Sequence, residues 1–118
     1  MKRWIIVVMM IGSMVKLQAQ DRYVKGYFMF PIKPGQTNFL SANMGELRSN
    51  HFHAGLDVKT DFKTGLPVYA AAEGYISRIR ISSYGYGRTL YIQHPNGLTT
   101  VYAHLDYFND TLYSIGFF

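Results

Sequence analysis

The chain has no cysteine in 118 residues. That excludes disulfides, a thiol nucleophile, a cysteine-ligated zinc knuckle and a lipid-modified cysteine at a cleavage site. Acids are scarce, seven Asp and Glu against twelve Lys and Arg, which gives a net charge of +5. Three of those cations, Lys2, Arg3 and Lys16, stand in the first nineteen residues; without them nine cations face seven acids, a net +2. No Lys/Arg run is present, and contacting nucleic acid takes a clustered basic face, so nucleic acid is not an expected partner. No Gly-x-Ser-x-Gly occurs, which removes a nucleophile-elbow hydrolase. Gly85-x-Gly87 lacks the third glycine and the following helix of a nucleotide loop, and reads as a hairpin loop.

There is one long hydrophobic run. Lys2-Arg3 precede Trp4–Val15, interrupted only by Gly12-Ser13, and Leu17-Gln18-Ala19 closes the segment with a small residue. Twelve residues of helix rise roughly 18 Å, short of a ~30 Å hydrocarbon core. Residues 1–19 therefore read as a secretory signal peptide, and the mature chain is expected to start at Gln20 or Asp21, outside the cytoplasmic membrane and not spanning it. Eight Phe and ten Tyr supply apolar bulk for one folded domain, so disorder is not expected.

Residues 20–37 form a lead-in broken by Pro31 and Pro34-Gly35, with room for one short strand in Tyr23–Ile32. Beyond Asp61 the pattern is β. Leu66–Ala72 is a short apolar run, joined by Glu73-Gly74 to the alternating run Tyr75–Ile81. There Tyr75, Ile79 and Ile81 face away from Arg78 and Arg80, with Ile76 breaking the polar face. Thr89–His94 and Leu98–Ala103 flank Pro95-Asn96-Gly97, a strong hairpin signal. No helical pattern exceeds two turns. The expected fold class is mainly β and antiparallel.

Four histidines stand at 51, 53, 94 and 104. Imidazole and carboxylate are both zinc ligands, and His53-Ala54-Gly55-Leu56-Asp57 carries one of each. Four residues along a straight strand span roughly 13 Å, too far for one ion, so the chain must bend, and Gly55 is best able to take an unusual conformation. Spacing alone leaves two readings open, a chelate or a solvated loop in which His53 and Asp57 merely hydrogen-bond. His104 closes a strand beside a loop, where rigid scaffolds present working groups.

Taken together these stretches resemble the lysostaphin-type zinc metallopeptidases, which cleave peptide cross-links in peptidoglycan. Asn43-Met44-Gly45-Glu46-Leu47-Arg48 resembles the family's Gly-x-x-Arg lead, and His53-Ala54-Gly55-Leu56-Asp57 its His-x-Gly-x-Asp motif. Gly65–Gly74, Tyr86-Gly87 through His94-Pro95-Asn96-Gly97, and Tyr102-Ala103-His104-Leu105 follow in order, so the resemblance covers residues 38–106. It implies an antiparallel sheet of the family's duplicated hybrid-motif fold, with residues 38–118 as the N-terminal portion of a peptidase domain, incomplete at the C-terminus. It implies His53 and Asp57 as two of three zinc ligands, His104 as the catalytic histidine, and all three on one polar groove. The family's third ligand and second catalytic histidine come from a downstream His-x-His, which is absent from this sequence. His51 is expected on the rim, and His94 in a structural or substrate-side role. The resulting expectation is an exported zinc metalloendopeptidase-family protein of the periplasm, envelope or medium, acting on peptidoglycan as a truncated, weakly active or inactive form. The rival is a non-enzymatic relative that binds wall or activates another hydrolase. Such relatives lose ligands by substitution, whereas every catalytic position reached here is intact. A carbohydrate-binding β module has only generic support from the aromatics.

Overall fold

The structure, a computed structural model, describes residues 24–114. The expected leader at 1–19, its exit at Gln20-Asp21 and residues 115–118 lie outside the described residues. The described chain is mainly β: β1 (Leu40–Ala42) pairs with β2 (Asp57–Val58), and β3 (Tyr75–Arg80), β4 (Arg88–Gln93) and β5 (Thr99–Leu105) form a second sheet in the order β3-β4-β5. Every pairing is antiparallel. A single short helix, α1 (Asp110–Ser114), follows, with Asn109 as its cap accepting the Leu112 N–H at 3.1 Å.

β4 lies between two neighbours, and its Thr89 and Ile92 are buried. The rest of the small core is Ala42, Ala71, Tyr102, Phe108 and one polar ring, His94. The β4–β5 hairpin turns through Pro95-Asn96-Gly97 as expected. Its loop is a three-residue connection, with Gly97 N–H donating to the His94 carbonyl and Gly97 at φ +84°. Such a loop places its last residue in the left-handed region, where glycine is unstrained.

Three expectations change. Leu66–Ala72 is extended but is not a strand, and Glu73-Gly74 is not a turn between two strands. The run lies instead along the lead-in, with Met29 N–H on the Ala71 carbonyl at 2.7 Å and Tyr69 N–H on the Pro31 carbonyl at 2.8 Å. Pro31 and Pro67 have no N–H to give, so the pairing does not extend into a ladder, and 24–32 forms no strand either. The alternation in β3 also shifts face. Ile76↔Ile92 is followed by Arg78↔Tyr91, so two residues of β3 oppose one of β4, a bulge at Ser77. The extra residue puts Ile76 and Ile79 on the partly covered face and leaves Tyr75 and Ile81 exposed.

Candidate metal centre

The segment from Asn43 to Asp57 is a chain folded back on itself. Asn43–Glu46 is a tight turn with Gly45 at φ +82°. Glu46 closes it from both sides: its N–H reaches the Asn43 carbonyl at 3.4 Å, and its side-chain Oε1 accepts the Asn43 N–H at 2.7 Å. A small hairpin follows, with His53 N–H on the Glu46 carbonyl, Gly45 N–H on the His53 carbonyl, and Leu47 opposite Phe52. The chain then bends at Gly55 and enters β2 at Asp57.

This fold-back aims two side chains at each other. His53 Nδ1 lies 2.9 Å from the Asn43 carbonyl, and a carbonyl only accepts, so Nδ1 carries the proton there. Nε2 then faces Asp57 Oδ1 at 3.1 Å. Two lone-pair atoms at that distance repel unless a proton or a cation lies between them. A histidine oriented by a carbonyl on one nitrogen and open on the other has the arrangement that metal-ligating histidines have. The second Asp57 oxygen is engaged by Arg48, 3.3 Å away, whose guanidinium also lies 3.9 Å from Glu46. Nitrogen and carboxylate oxygen together suit zinc, so the pair fits part of a zinc site. Among the described residues, however, no group of three His, Cys, Asp or Glu side chains comes close enough to hold an ion.

The bend differs in kind from the expected one. Gly55 is outside the left-handed region, and a Cβ built on it would meet nothing within 4 Å. The unusual backbone belongs to Gly45, ahead of the histidine.

His51 is exposed, and its Nδ1 lies 2.6 Å from Asn50 Oδ1, away from the His53–Asp57 pair. His94 is 2 % exposed, with Nδ1 2.7 Å from the Glu73 carbonyl and Nε2 2.8 Å from Thr100 Oγ1. Both ring nitrogens are committed, so its role is structural.

His104 sits in β5 at φ +57°. Arg88↔Leu105 and Leu90↔Tyr102 bracket it, so three steps of β5 oppose two of β4. This is a bulge with a histidine in the left-handed position that glycine usually fills, and such bulges re-aim side chains beside working sites. Its N–H donates to the Tyr86 carbonyl at 2.9 Å, and its ring stands edge-on to the Tyr86 ring, centroids 6.4 Å apart. His104 opens on a depression of about 490 Å³ whose walls include Thr64, Ser82, Arg88 and Asp106 but neither His53 nor Asp57. The structure thus joins His53 to Asp57, whereas His104 opens on a hollow whose walls include neither. Asn43, Arg48 and Tyr86 stand within the family-like motifs, but their contacts with His53, Asp57 and His104 are not visible in the sequence. Arg48 stands nine residues from Asp57 across a hairpin, and no periodicity signals that contact.

Residues 51–112, just over half the chain, match the family model described as Peptidase family M23. Over 63 residues, 53% of the chain, it is 38% identical to the DD-carboxypeptidase/endopeptidase Mpg of Neisseria meningitidis serogroup B (strain ATCC BAA-335 / MC58). It matches the protein of the same description from Neisseria gonorrhoeae (strain ATCC 700825 / FA 1090) to the same extent. The matched stretch covers 14% of those relatives' length. No solved structure matches the chain.

Proposed function

The chain belongs to peptidase family M23, the lysostaphin-type metallopeptidases, and from that premise we propose an exported, zinc-dependent peptidase-family protein acting on the peptide cross-links of peptidoglycan. The observation that carries this reading is the His53–Asp57 pair, fixed at 3.1 Å by the Asn43 carbonyl on one side and Arg48 on the other. In this reading His53 Nε2 and Asp57 Oδ1 hold the metal. When bound, zinc polarises the scissile carbonyl and lowers the pKa of its water. The remaining work falls to the protein. The Asn43 carbonyl keeps the His53 proton on Nδ1, so Nε2 stays free to bind. Arg48 occupies Asp57 Oδ2, leaving one oxygen to face His53. His104 holds or passes a proton at its imidazole, which the bulge in β5 turns out of the strand.

Catalytic zinc takes three protein ligands, and the described residues supply two. On that set the described part by itself binds zinc weakly and turns over little or nothing. The second reading is a non-enzymatic relative that binds wall or activates another hydrolase. Export rests on residues 1–19, and its site of action would be the envelope, periplasm or medium. No helix among the described residues is long and apolar enough to cross a membrane.

The test is zinc titration by calorimetry on the chain from Gln20 onward, alongside His53→Ala, with both proteins then assayed on purified peptidoglycan. The expected result is measurable zinc binding that His53→Ala abolishes, with little turnover. Unchanged zinc affinity in His53→Ala would remove the site assignment. Strong turnover lost in His53→Ala would mean that another residue, or a second copy, completes the ligand set. Binding to the wall without turnover is the outcome that favours the second reading.

A further inference from the structure

A second hollow adjoins the one that holds His104. It has a volume of about 260 Å³, and its walls include Arg80, Ser82, Tyr84, Tyr86 and Thr89, with no Asp or Glu among them. It shares Ser82 and Gly87 with the His104 hollow. The loop that forms it is held from below. Thr89, fully buried, donates its hydroxyl to the Tyr86 carbonyl at 3.2 Å. The Gly87 carbonyl accepts the Ser82 N–H at 3.2 Å, and Tyr84 N–H reaches Ser82 Oγ at 3.2 Å. His104 N–H ties the same Tyr86 carbonyl to β5. The backbone at Tyr84 and Tyr86 is thus held, while their side chains, 88% and 50% exposed, are open to an incoming ligand. Arg80 has no carboxylate partner among the described residues, unlike Arg48 with Asp57 and Glu46; Arg78 has none either, but lies over the Tyr91 ring at 5.4 Å.

We propose that the Arg80–Tyr84–Tyr86 hollow is a subsite for a carboxylate of a peptide substrate. As a substrate subsite it rests on the peptidase reading above, because that reading makes the ligand a peptide. A guanidinium is a planar fork that matches a carboxylate, and tyrosine rings offer faces for a peptide's neighbouring backbone and small side chains. At 260 Å³ the hollow is smaller than the roughly 300–1,000 Å³ of most small-molecule sites, so it takes the end or branch of a peptide rather than a whole cofactor. A peptide anchored there passes the Tyr86 ring on its way to His104.

The test is NMR titration of the chain from Gln20 onward, without metal, with N-acetyl-alanyl-alanine and with its C-terminal amide. The free acid is expected to shift the amides of residues 80–89. Affinity should fall at least about tenfold for the amide and for Arg80→Ala, the scale of one lost charge-assisted hydrogen bond. Arg78→Ala removes the same charge from the same strand outside the hollow and should leave binding unchanged. Arg80→Gln replaces Arg80→Ala if the latter does not fold. Equal binding of acid and amide, equal losses in Arg78→Ala and Arg80→Ala, or no binding of the acid would each overturn the subsite. Inorganic phosphate displacing the acid at equal concentration would overturn its peptide character. His53→Ala should retain acid binding, so failure of the zinc reading and failure of the subsite give different results.

Discussion

At the scale of single residues, the histidines are sorted by what their two nitrogens touch. His53 spends one nitrogen on the Asn43 carbonyl and keeps the other facing Asp57. His94 spends both, and its partners form a chain through the core. Nδ1 donates to the Glu73 carbonyl, leaving Nε2 to accept the Thr100 hydroxyl. Thr100 Oγ1 lies 2.9 Å from Tyr102 Oη, which accepts the Ala71 N–H at 2.8 Å. Among the described residues no buried side-chain N or O lacks a partner. Removing one member strands the others, at about 1–3 kcal/mol for each unsatisfied group. His94→Ala, which also loses the Phe28 ring contact at 5.0 Å, is therefore expected to destabilise the chain by about 3 kcal/mol in urea unfolding. Zinc affinity in the same protein should match wild type. A loss of zinc affinity in a folded His94→Ala would assign that ring to the metal site instead.

At the scale of elements, two glycines behave in opposite ways. A Cβ on Gly74 would sit 2.4 Å from the Gln93 carbonyl oxygen and 2.8 Å from Ile92 Cγ2. Those atoms belong to β4, the central strand, and cannot swing aside. Gly74→Ala should push β3 from β4 and cost at least about 2 kcal/mol. Gly55, at the bend between His53 and Asp57, has open space and no left-handed backbone. Gly55→Ala should leave stability within about 1 kcal/mol of wild type, on the stabilising side if the unfolded chain is stiffened. Thermal melts of the two variants side by side check both; a larger loss for Gly55→Ala than for Gly74→Ala would contradict the packing described here. The bulge at His104 is the third element-level device. It holds a non-glycine residue at φ +57°, a conformation costing on the order of 1–3 kcal/mol that the flanking β4–β5 pairing sustains.

At the scale of the molecule, burial is uneven. β4 is hydrogen-bonded on both sides, while the segments before Asp57 rest on short turns and a two-stranded sheet. Large apolar side chains including Phe39, Leu47, Phe52 and Val101 are exposed among the described residues. Local opening follows such differences in packing. Hydrogen exchange is therefore expected to be slowest at Leu90 and Ile92 and to approach the unprotected rate over residues 32–38, with the His53–Asp57 segment between. Zinc should slow exchange in that middle segment first. Uniform protection across the chain would show a single cooperative unit and refute the gradient.

The β character, the hairpin at Pro95-Asn96-Gly97 and the pairing of His53 with Asp57 as candidates were legible in the chain. Each depends on residues close in sequence, where alternation, turn chemistry and spacing speak directly. The resemblance of the ordered motifs gave the family. The partner of Leu66–Ala72, the reversed face of Ile76 and the left-handed backbone of His104 were decided only by tertiary structure. In each of those, a strand's neighbour determines where an extra residue must be accommodated, and one-dimensional periodicity carries no term for the neighbour. Arg48 shows the same limit at the metal site. Its charge is visible in the sequence, but its hold on Asp57 exists only because the hairpin from Asn43 to His53 folds the two together.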